Sequence, residues 1–96
     1  MNTKDAYRQK FEAEVELAQA KLAELKAQAK ISKAEARIKY AKHIDELELK
    51  VVAMKAKLKE LGESGEDAWE HLRDGVESAW SALSAAVRNT TRKFKG

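Results

Sequence analysis

The chain has 96 residues, no cysteine, no proline and four glycines, with 36% charged residues, 6% aromatic residues and a formal net charge of +3. That balance excludes disulfide scaffolds, thiolate metal sites and cysteine nucleophiles, and its Ala, Leu, Lys and Glu point to one all-α domain over residues 1–96. The charge excess permits contact with anionic surfaces without demanding it, and no run approaches the roughly 18 apolar residues of a membrane span.

The opening stretch from Met1 to Asp5 is polar and has no apolar signal region, so a soluble, cytoplasmic protein is expected. From about Lys4 to Leu61 no residue breaks a helix, and the apolar side chains alternate at spacings of four and three. One run is Tyr7, Phe11, Val15, Ala18, Leu22, Leu25 and Ala29; the other is Tyr40, Ile44, Leu47, Val51, Met54, Leu58 and Leu61. Each is a heptad seam, and together they predict a single long helix over about residues 4–61. Ser32 and Ala36 join the runs with one residue more than two heptads would use, a discontinuity that unwinds a supercoil locally. A second apolar line, Leu17, Ile31, Ile38 and Val52, lies beside the seam and predicts contact with two or more neighbouring helices.

Gly62 to Gly65 is the clear boundary. Gly62 suits the left-handed residue after a helix, and Ser64 with Asp67 three residues on suits an N-cap and capping box. A second helix over about residues 65–94 follows. It carries Trp69, Leu72, Val76, Trp80 (or Ala79), Leu83, Val87 and Phe94 on one side and ends in Arg88, Arg92, Lys93 and Lys95, the charge favoured at a helix C-terminus. Gly75 inside it either permits a close backbone approach or is a tolerated surface residue.

The expected fold is therefore a helical hairpin, coiled-coil-like, in an oligomeric bundle. At 1.5 Å per residue the first helix would be about 85 Å long and the second about 45 Å, so a tight turn lets the second cover only about Lys33 to Leu61. Ile44, Leu47, Val51 and Leu58 would pack on Trp69, Leu72, Val76, Trp80, Leu83 and Val87. Phe11, Val15, Leu22 and Leu25 would be left for another copy of the chain, most simply in an antiparallel dimer, because uncovered apolar side chains forgo about 1.5 to 3 kcal/mol each.

The remaining chemistry is sparse. His71 has Asp67 four residues before it and Asp74 three after, too few ligands for a closed metal site, and His43 beside Asp45 and Glu46 offers no more. With no phosphate loop, no activated hydroxyl and no concave scaffold, no enzyme, cofactor or metal is expected. Asn89-Thr90-Thr91 matches a glycosylation acceptor, which without a secretion signal marks only a helix face. Lys26, Lys30, Lys33 and Arg37, with Lys39 and Lys42, face a single acid, Glu35, and could contact phosphates of nucleic acid or lipid. The tryptophans and the cationic end of the second helix form an alternative membrane-surface face, or else core.

The segment ESGEDAWEHLRDGVESAW, Glu63 to Trp80, resembles one shared by small bacterial coiled-coil proteins described as stress-associated. Their pattern is a Lys/Glu/Ala-rich helix, a Ser-Gly turn and paired tryptophans, here Trp69 and Trp80. The resemblance covers most of the chain, implies a bacterial source and a stress-related role, and brings no catalytic residue or ligand. The first functional expectation is a self-associating, non-enzymatic interaction protein. Peripheral membrane binding and weak nucleic-acid binding through residues 26–42 are the alternatives.

Overall fold

The computed structural model describes residues 3–95 and is all-helical there: α1 spans Thr3–Lys30, α2 spans Ala34–Glu63, and a 3-10 turn at Trp69–Leu72 leads into α3, Arg73–Lys95. Helices of 28, 30 and 23 residues are about 42, 45 and 35 Å long. The molecule measures 51 × 19 × 18 Å, so the three lie side by side. Lys4 Nζ donates to the Ser64 carbonyl at 2.8 Å and Lys26 pairs with Glu48, which sets α1 antiparallel to α2. Tyr40 stacks on Phe94 at 3.8 Å, which sets α2 antiparallel to α3.

The continuous helix expected over residues 4–61 does not form. The backbone leaves the helix at Ile31, Ser32 and Lys33 and reverses, close to the seam discontinuity. The junction contains neither glycine nor proline. Ser32 Oγ donates to the Gln28 carbonyl at 2.9 Å, Arg37 Nη2 donates to the Ser32 carbonyl at 3.1 Å, and Lys33 stands at the N-cap in an extended conformation. Breaking the helix costs a few exposed backbone hydrogen bonds, each worth about 0.5 to 1.5 kcal/mol net. Folding back buries Phe11, Val15, Leu22 and Leu25, on the order of 6 to 12 kcal/mol at 1.5 to 3 kcal/mol per side chain. Burial wins.

Those four side chains, expected to face another copy of the chain, are thus covered within the chain by α2 and α3. Leu25 is 1% exposed and joins Leu47, Met54, Leu61, Val76 and Leu83 in one core. Ile44, Val51, Leu58 and Trp69 are buried in the same core, and Leu72, Trp80 and Val87 lie half-buried against it. The second apolar line is different. Leu17, Ile31, Ile38 and Val52 all point outward, because the three helices in section come from one chain and pack through their other faces.

The second junction also departs from expectation. Gly62 stays inside α2, with no left-handed backbone among the described residues, and Ser64 caps α2 rather than opening the next helix: both its N–H and its Oγ donate to the Leu61 carbonyl. The amides of Ala68 and Trp69 then donate to the Gly65 carbonyl. This extra turn shifts the start of α3 from about residue 65 to Arg73. At Gly62 a side chain would meet Arg8 Nη1 at 2.6 Å, the movable end of a flexible side chain that can shift aside.

Candidate functional site

The chain reversal places the basic segment at one tip of the bundle instead of the middle of a rod. Lys30 ends α1, Lys33 lies in the turn, and Arg37 and Lys39 stand on the first turns of α2, all exposed. The Tyr40–Phe94 stack brings the end of α3 to the same end of the bundle, where Lys93 lines one groove with Lys39 and Arg92 is exposed next to it in sequence; Arg88 sits nearly two turns back along α3. Glu35 is the acid within these segments.

Of the four residues expected to contact anions, Lys26 drops out. Its Nζ lies 2.5 Å from Glu48 Oε1, across the α1–α2 interface, and its charge is matched. Arg37 spends one N–H on the Ser32 carbonyl, which fixes the guanidinium at the tip and leaves its other donors available. Two apolar side chains stand among the cations. Ile31 is 87% exposed in the turn and Ile38 is 75% exposed one helical turn beyond the start of α2. Lys93, with Arg92 beside it in sequence, could be assigned to this site only after the fold was known. The spacing Ser32-x-x-Glu35, that of a capping box, is the local signal in the sequence for the reversal, although in the structure the Ser32 hydroxyl turns back to α1.

The opposite end is acidic, with Glu63, Glu66, Asp67, Glu70 and Asp74 exposed around the second junction. Tyr7, Trp69 and Arg73 meet there: the rings are 5.5 Å apart, Arg73 lies over both, and the Tyr7 hydroxyl is 3.4 Å from the Arg73 carbonyl. Burial, and then the nearby charge of Glu77, push the Tyr7 hydroxyl above the ordinary tyrosine range. Trp69 is core, and Trp80 is half-buried with its ring 6.2 Å from Phe11, so the tryptophan face is not presented to a surface.

Along α2, charges alternate in blocks. Arg37, Lys39 and Lys42 are followed by Asp45, Glu46 and Glu48, then by Lys50, Lys55, Lys57 and Lys59, then by Glu60 and Glu63. Where the middle blocks meet, Leu49 and Val52 are exposed. An open groove of about 620 Å³ between α1 and α2 has Val15 and Leu58 at its base and the mixed charges Arg8, Glu12, Glu16, Lys55 and Lys59 around it. Among the described residues no trio of His, Asp or Glu stands within metal-ligating reach, and His71 is exposed. No described helix is long and apolar enough to cross a membrane.

Comparison with protein families, with characterised proteins and with solved structures finds no match for this chain. Its chemistry is read from its own residues.

Proposed function

We propose that this protein is a non-enzymatic docking module that binds anionic lipid surfaces through its basic tip. One observation carries the reading: the reversal at Ile31–Lys33 sets Lys30, Lys33, Arg37 and Lys39 at one end of the bundle together with Lys93 of α3, and leaves Ile31 and Ile38 pointing into solvent there. A basic side chain near an anionic leaflet contributes about 1 kcal/mol, and the contribution fades with salt. Ile31 and Ile38 add apolar area that gains up to about 1.5 to 3 kcal/mol per side chain when withdrawn from water. A nucleic-acid duplex would use the same cations but leave both isoleucines in water, which favours lipid over phosphate backbone.

The test is co-sedimentation with phosphatidylcholine vesicles prepared with and without phosphatidylglycerol, at low and high salt. Binding is expected only with the anionic lipid, weakened by salt, reduced severalfold by Ile31→Ser and abolished by Lys33→Glu with Arg37→Glu. Equal binding to both vesicle types contradicts the reading. So does duplex DNA binding that competes fully with vesicles and ignores Ile31→Ser.

A further inference from the structure

The outward face of α2 is a second heptad stripe: Ile38, Lys42, Asp45, Leu49, Val52 and Ala56 follow at spacings of four, three, four, three and four, all exposed. Its middle is apolar, with Leu49 70% and Val52 63% exposed, and nothing in the fold covers it. Such a face calls for an occupant, and the charge blocks along it identify one. Laid antiparallel on itself about the level of residue 51, the stripe sets Lys42 opposite Glu60 and Glu46 opposite Lys57, with Asp45 near Lys59 on the other flank. In antiparallel helix pairs like flanks meet, and each of these pairs shares a flank and joins opposite signs. A parallel pairing would set every block against its own sign.

We propose that two copies of this chain pair antiparallel along the outward face of α2, around Leu49 and Val52, to give a symmetric dimer. Because α2 runs nearly the full length of the bundle, this arrangement sends the two basic tips to opposite ends of one rod. The dimer then holds two anionic surfaces together, a consequence that rests on the lipid-docking reading above. A strip about 45 Å long and roughly 10 Å wide falls short of the roughly 800 Å² per partner of a standard interface. The pairing is accordingly weak and concentration-dependent, and strengthens when the protein is crowded on a surface. The contact is isologous, so assembly closes at two copies.

Sedimentation velocity over a concentration series, at low and high salt, tests the pairing. The wild type is expected to shift from monomer to dimer. Leu49→Asp with Val52→Asp should stay monomeric with unchanged helicity, Glu60→Lys should weaken the dimer severalfold, and adding Lys42→Glu to Glu60→Lys should restore it. Since the chain has no cysteine of its own, orientation is read by oxidising single-cysteine variants. Val52→Cys, near the dyad, should cross-link to itself, and Ile38→Cys should not. A wild type that stays monomeric throughout, a Leu49→Asp/Val52→Asp variant that dimerises as well as wild type, or cross-linking through Ile38→Cys overturns the proposal. Turbidity with phosphatidylglycerol vesicles separates the two readings. Wild type should cluster them, and the Leu49→Asp/Val52→Asp variant should bind without clustering. A dimer that fails to bind vesicles refutes tip docking alone, whereas a vesicle-bound monomer that never clusters refutes the pairing alone.

Discussion

Leu25→Ala distinguishes most sharply between an α1 that packs within its own chain and one that waits for another copy. Leu25 is 1% exposed and sits in the one core that joins α1 to α2 and α3. Removing a buried leucine down to alanine costs about 2 to 5 kcal/mol, the upper part of that range applying where the surroundings cannot collapse. Here they are three helices already in contact, held by aromatic pairs at one end and by the Tyr40–Phe94 stack at the other. At roughly 0.05 to 0.15 kcal/mol per residue the whole domain is stable by about 5 to 14 kcal/mol, so this single change removes a large share. With a urea dependence of about 1 to 3 kcal/mol per molar, the unfolding midpoint should fall by about 1 to 3 M. The assay is urea unfolding followed by helicity, in a Leu49→Asp/Val52→Asp background so that pairing through α2 does not intrude. Intramolecular packing requires the same midpoint shift at every protein concentration. A loss below about 1 kcal/mol, or a parent midpoint that drops on dilution, would refute it.

Two further outcomes follow from the geometry. Gly75→Ala should raise the melting temperature by the equivalent of up to about 1 kcal/mol, because a Cβ there meets only the Lys57 stem at 3.9 Å and a helical glycine carries its conformational entropy without return; a fall in melting temperature would show that the site is tighter than this. The raised Tyr7 hydroxyl gives a pH dependence of definite sign. The folded protein holds the proton more tightly than the unfolded chain, so this contribution is complete below the ordinary tyrosine value of 10.0 and is lost as pH rises above it through the folded value. Tyr7→Phe should therefore flatten the alkaline decline of melting temperature relative to wild type, and parallel declines would place Tyr7 in water.

The docking proposal fits the distribution of charge better than net charge does. A formal +3 is unremarkable, yet the fold separates it into a basic tip and an acidic base at opposite ends of a molecule 51 Å long. The block from Lys30 to Lys39 alone is a modest patch. Its meeting with Lys93, across some fifty residues of sequence, is what turns it into an end face.

Local periodicity determined much about this protein without any structure. The spacing of Phe11, Val15, Leu22 and Leu25, and of Ile44, Leu47, Val51 and Leu58, marks their inward faces because helix geometry is a property of consecutive residues. The junction after Leu61 was legible through Gly62, Ser64 and Gly65, although the roles of Gly62 and Ser64 there were not. The reversal at Ile31, Ser32 and Lys33 was decided by tertiary packing, with only the Ser32-x-x-Glu35 spacing as a local trace in the sequence. Good helix formers occupy both sides of it, and the free energy that bends it comes from side chains such as Leu25 and Leu47 that are far apart along the chain and meet only once it has folded back. For the same reason no stretch of sequence could assign Phe11 and Leu22 to the chain's own core, expose Leu17 and Ile38, or bring Phe94 to Tyr40. Local rules settle which face of a helix is apolar; the partner of that face is settled by contacts between distant residues.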